Sequence, residues 1–222
     1  METSSRPTFR TAIVLLALAN LAVLAIRLWP WQNVVDLPGN GTTGVDPVIT
    51  LVAYAGLGFW IGRVRTDEAR RSLFSAAILG IIAGGFLVGL IAIAAAQSGE
   101  ESTGADNVQI MLLICAALIL GIVGWRTARA GNTIAFSVVC TLWAAMLSCL
   151  MAVTAILGQA FFHVPPAMSS DPWQQYEGMA IGTPAIQALV HSLDAVSGFL
   201  LLGPIVGCVA GAIFAAVAPK KA

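Results

Sequence analysis

Almost the whole chain is divided into six apolar stretches, at about 11–29, 46–62, 72–97, 108–125, 133–160 and 186–218, each closed by charge, proline or glycine. A helix needs about 20 residues to cross the hydrocarbon core of a bilayer. The pattern therefore predicts an all-α fold: a polytopic integral membrane protein whose six transmembrane helices form one bundle, a single domain over residues 1–222. The first stretch resembles a signal peptide in having Arg6 and Arg10 before an apolar run. That run ends in Arg27-Leu28-Trp29-Pro30-Trp31 and not in a small-residue cleavage site, so it reads as a retained helix.

The polar punctuation is uneven. Two connections are long, 28–45 with its Pro38-Gly39-Asn40-Gly41 turn and 164–184 opening on Pro165-Pro166. In the second, Asp171 suits an N-cap and Pro172 a first helical turn, which predicts a short interfacial helix carrying Trp173 and Tyr176 at headgroup level. The remaining connections near Arg63, Arg65, Arg70 and Arg71, and near Arg126 and Arg129, are short and basic. With Arg6, Arg10, Lys220 and Lys221 they place ten of the eleven basic residues on one side, while Asp36, Asp46, Glu100, Glu101, Asp106, Asp171 and Glu177 lie on the other. Basic loops stay in the cytoplasm, so the expected topology is N-in/C-in, both termini cytoplasmic.

Composition narrows the function classes. Apolar residues make up 58% and charged residues 10%, and the mean hydropathy is +0.88, against about 25% charged in a soluble domain. No length is left for a separate soluble catalytic domain. Eleven basic against eleven acidic residues leave no net charge for a phosphate backbone, so nucleic acid is not an expected partner. Heavy use of Ala and Gly with only two Lys points to a plasma membrane of the bacterial inner-membrane type.

Small residues mark where helices can approach. The third stretch carries Gly80 and Gly84 on one face and Gly85, Gly89, Ala92 and Ala96 on another, which suggests the central helix of the bundle. In the fifth, Ser137, Thr141, Ala144, Ser148, Ala152, Ala155 and Gln159 form a stripe expected to face protein, with Leu142, Met146, Val153 and Leu157 opposite it toward lipid. In the sixth, Gly203, Gly207 and Gly211 form a further seam beside Pro204, a candidate kink. Such seams serve packing within the chain, self-association or a second membrane subunit. A shift of 62 residues aligns Gly62 with Gly124, Phe74-Ser75 with Phe136-Ser137 and Gln97 with Gln159, which would make stretches two and three a repeat of four and five.

Groups able to do chemistry are scarce. Cys115, Cys140, Cys149 and Cys208 all fall inside apolar stretches and form no C-x-x-C pair, as expected of small buried hydrophobes. Gln187, His191 and Asp194 share one face of the last stretch. Counted at 1.5 Å per residue from the basic end, Asp194 stands roughly 36 Å up, His191 about 40 Å and His163 about 46 Å, beyond a core of about 30 Å even with tilt. They are therefore candidates for a polar cluster at the outer face. His163, His191 and Asp194 would also suit a zinc ligand set or a pH-sensitive contact, but their spacing matches no metal motif, and neither a metal nor a cofactor is expected. Ala195-Val196-Ser197-Gly198 only loosely resembles a G-x-S-G nucleophile motif, and no H-E-x-x-H or phosphate-binding loop occurs. The polar residues expected at mid-depth, Asn20, Ser137, Thr141, Ser148 and Thr154, carry no charge, which supplies an ion path poorly. Two function classes follow. One is a non-enzymatic membrane component, a scaffold or a subunit of a membrane complex. The other is a small transporter for an apolar or amphipathic solute, with a cavity expected between stretches one, five and six.

Overall fold

The structure, a computed structural model, describes residues 9–28, 45–61, 63, 66–96, 103–162 and 184–219. Six helices appear in order: α1 (Phe9–Leu28), α2 (Val45–Ile61), α3 (Asp67–Ala96), α4 (Thr103–Arg129), α5 (Ile134–Phe162) and α6 (Pro184–Ala216). No strand occurs among the described residues. Helices α3 to α6 are long and apolar enough to cross a membrane, and α1 and α2 carry shorter apolar stretches, Ile13–Ile26 and Asp46–Ile61.

Local chemistry sets the helix ends. The Thr66 carbonyl accepts from Arg70 N at 3.1 Å, and Asp67 and Glu68 place negative charge on the first turn of α3, where the helix dipole is positive. At the other end of the hairpin, Gly131 takes φ +90°, a left-handed conformation that suits glycine. Its N–H bonds to Ala128 O at 3.0 Å, and Asn132 Nδ2 donates to Thr127 O at 3.1 Å. Thr133 Oγ1 then accepts from Phe136 N at 3.2 Å and caps α5. One helix is thus closed and the next opened within a few residues.

Helix α5 is the centre of the bundle. It packs against each of the other five helices, which follow one another around it in the order α3, α4, α6, α2, α1. This corrects the expectation that the third stretch is central. It also corrects the expected lipid face of α5: Met146, Val153 and Leu157 are buried and Leu142 is half-buried, because neighbours surround the helix. Apart from Ile134 at the start of α5, the large apolar side chains that remain exposed within helices lie on the outer ones, among them Ile78 and Ile81 on α3, Met111 and Ile114 on α4, and Leu202 and Ile205 on α6. An outward surface of this kind is the reverse of a soluble protein's. The suggested repeat has no counterpart in the packing, since α4 lies along α5 whereas α2 barely touches α3.

Candidate functional site

Several polar groups of the bundle interior are hydrogen-bonded within the protein, whereas Trp143 Nε1 and Ser197 Oγ are buried without a partner among the described residues. Asn20 on α1 donates to Leu16 O at 3.0 Å, to Leu150 O at 3.3 Å and to Thr154 Oγ1 at 3.1 Å, tying α1 to α5. The hydroxyls of Ser137, Thr141 and Ser148 donate to the carbonyls of Thr133, Ser137 and Ala145, at 3.1, 2.9 and 2.9 Å. Three of the polar residues expected at mid-depth are therefore turned back on the backbone of the turn before them.

Pro204 lies inside α6 and has no N–H to offer the carbonyl of Leu200, four residues earlier. Tyr54 on α2 supplies the missing donor: its Oη donates to Leu200 O at 2.8 Å, and the ring is buried. A neighbouring helix thus satisfies a carbonyl that an apolar interior would leave unpaired. The kink candidate was legible in the sequence. The donor to that carbonyl, 146 residues away in the chain, was not.

Close approaches between helices run along the bundle, and those between α4 and α6 lie at the basic end. An added Cβ at Gly124 on α4 would stand 2.6 Å from Gly211 O on α6, and one at Gly121 would stand 2.8 Å from the Phe214 ring. The same test at Gly80 reaches Ala144 O at 2.6 Å and at Gly84 reaches Met151 Sδ at 2.8 Å. Gly203, Gly207 and Gly211 abut Cys149, Ala145 and Thr141 of α5 respectively, and Gly203 meets Cys149 Sγ directly. Gly85, in contrast, has nothing within 4 Å of that position, and Gly89 only reaches Leu112 at 4.0 Å. The seam on α4 was not anticipated, although Ala117, Gly121, Gly124 and Ala128 recur at helical spacing.

Further from the basic end, α4 and α6 diverge around a cleft of about 600 Å³. Leu113, Ile114 and Ala117 form one wall, Gly198, Phe199 and Leu202 the other, with Leu87 of α3 and Ser148 and Cys149 of α5 behind. The lining is almost wholly apolar. It lies between α3, α4, α5 and α6. This cleft does not lie between the first, fifth and sixth helices, where a cavity was expected; on that side Asn20 ties α1 to α5 and Tyr54 ties α2 to α6.

Of the outer polar cluster, His163 lies outside the described residues, as do the connections 29–44 and 163–183 and the expected interfacial helix at Asp171. Gln187 and His191 fall within α6, but their side chains are outside the described residues too. Asp194 is exposed. It stands one turn from Gly198 on the face that lines the cleft. No group of three or more metal-ligating side chains occurs among the described residues. Neither a family model, nor a curated protein, nor a solved structure matches this chain.

Proposed function

We propose that the chain spans a bacterial inner membrane six times with both termini in the cytoplasm, and that the cleft between α4 and α6 receives the apolar body of an amphipathic molecule drawn from the surrounding lipid. The carrying observation is the cleft itself, whose volume of about 600 Å³ lies in the ~300–1,000 Å³ range of small-molecule sites. Four long apolar helices and an outward apolar surface support the bilayer placement, and the one-sided distribution of Arg and Lys supports the orientation. Asp194, a turn beyond Gly198, would meet the molecule's polar head at the outer surface. A transporter of apolar or amphipathic solutes needs such a lateral opening and no charged path through the core.

Photo-cross-linking tests this reading. A lysophospholipid with a diazirine in its acyl chain, added to the purified full-length protein, should label peptides of α4 and α6 that contain Leu113, Ala117, Phe199 and Leu202. Gly198→Leu should cut that labelling several-fold, because nothing lies within 4 Å of the position where its side chain starts and the chain would grow into the cleft. Labelling spread evenly over the outer faces of all helices, and unchanged by Gly198→Leu, would defeat the proposal.

A second reading, a scaffold or subunit that associates with itself or with another membrane protein, is supported by the small face of α3. Gly85, Ala92 and Ala96 are exposed there, and an added Cβ at Gly85 meets nothing within 4 Å among the described residues. Cross-linking in mild detergent followed by mass spectrometry tests it; recovery of monomer alone would count against it.

A further inference from the structure

We propose that a recess between α3 and α4, at the arginine-rich end of the bundle, binds a phosphate group. The recess measures about 210 Å³ and is lined by Arg71, Ser72 and Ser75 of α3 and by Arg126 and Thr127 of α4, over an apolar floor that includes Leu79 and Val123. A water occupies roughly 30 Å³ in the liquid, so the space takes a tetrahedral oxyanion.

Helical spacing explains why these groups converge. Arg71 and Ser75 are four residues apart and Ser72 and Ser75 three, so all three share one face of α3. The two helices run antiparallel and pack along one another, which brings the start of α3 to the end of α4 and sets Arg126 across from Arg71. At this point the two helix dipoles oppose each other. The positive charge of the recess comes from the guanidinium groups themselves.

Among the described residues no ion pair joins Arg71 or Arg126 to a carboxylate, while the neighbouring Arg70 pairs with Asp67 at 3.9 Å. Nearby Arg129 lies over the Trp125 ring at 4.9 Å and Arg63 over the Phe59 ring at 4.7 Å. The Thr127 hydroxyl donates to Val123 O at 2.8 Å, so it does not donate into the recess; the serine hydroxyls are the donors that complement the arginines. Paired guanidinium forks with hydroxyl donors match the oxygens of a phosphate. Two sources offer that chemistry here, the headgroup of an anionic phospholipid in the same leaflet and a free phosphate or phosphomonoester from the aqueous side.

The proposal uses the membrane placement argued above but not the occupant of the cleft, and its test reads different residues. The full-length protein in neutral detergent is titrated with short-chain phosphatidylglycerol, with short-chain phosphatidylcholine and with inorganic phosphate. The same titrations are made on Arg71→Gln/Arg126→Gln, on the charge-conserving Arg71→Lys/Arg126→Lys and on the control Arg63→Gln. Removing both charges should weaken the bound species about tenfold or more, the lysine pair should be intermediate, and Arg63→Gln should match the parent. Loss confined to phosphatidylglycerol identifies a lipid headgroup as the source; loss of inorganic phosphate binding, with lipid binding unchanged, identifies a soluble phosphate. If the parent protein binds none of the three, or binds them as the glutamine pair does, the proposal is overturned. Unaltered thermal melting of the variants would show that any loss is local, as expected for side chains that are exposed.

Discussion

Helix α6 is held in two different ways along its length. Near the basic end it is gripped from the α4 side, where Gly211 meets Gly124 backbone to backbone and Phe214 covers Gly121. Toward the outer end it is held from the α2 side, where Tyr54 donates to the carbonyl that Pro204 leaves unpaired, and the α4 side stands open as the cleft. Side-chain size differs between the two halves: where both helices offer glycine they come together, and where the cleft opens α4 offers Leu113 and Ile114 and α6 offers Phe199 and Leu202. In a bilayer, apolar burial does not favour closing the gap, because lipid tails are as apolar as the walls. A cleft that water would collapse can therefore persist in a membrane.

The sharpest way to break the closed half is Gly124→Leu. Even the Cβ would stand 2.6 Å from Gly211 O, and backbone on the facing helix cannot turn aside as a flexible side chain could. Overpacking of this kind costs about 3 kcal/mol. Thermal or denaturant unfolding in detergent should show that loss, and the cleft should widen as α4 and α6 separate. A variant as stable as the parent would mean that the Gly124–Gly211 contact does not set the spacing.

The open half is addressed by Tyr54→Phe, with a smaller effect. The ring keeps its packing, but the Leu200 carbonyl then has no donor from Tyr54 or from residue 204. An unsatisfied buried acceptor costs about 1–3 kcal/mol, so a loss of about 2 kcal/mol is expected. Hydrogen exchange should rise in α6 around Pro204 and remain unchanged around Gly124. Equal loosening of both ends would show that α6 behaves as one rigid rod and would remove the distinction between the halves.

How much of this was legible depends on whether one helix or two carry the signal. The helix positions were, because each apolar run ends in charge or a turn residue: the start of α3 lies within Asp67-Glu68-Ala69-Arg70-Arg71, a polar first turn ahead of the run. The centrality of α5 was not, since Met146 and Val153 are equally suited to a lipid-facing or a protein-facing position, and burial was decided by five neighbours. The cleft was not legible either, being a gap between Ala117 and Leu202 that neither residue encodes alone. Gly124 was visible but attracted notice as part of a supposed repeat, when its spacing with Ala117, Gly121 and Ala128 already described a packing seam.

The smallest expected effect isolates what a glycine contributes by contact from what it costs by being glycine. Gly80 and Gly85 lie in the same helix, yet an added Cβ at Gly80 would be 2.6 Å from Ala144 O while one at Gly85 meets nothing within 4 Å. Replacing a mid-helix glycine by alanine gains roughly 0.5–1 kcal/mol in backbone terms. Gly85→Ala should therefore be slightly more stable than the parent in unfolding measured on dispersed monomer, whereas Gly80→Ala should lose stability because the contact term outweighs the same gain. If Gly85→Ala is instead destabilised, and only at protein concentrations where the chain self-associates, then a second copy occupies the face that this chain leaves open, and the scaffold reading gains over the cleft.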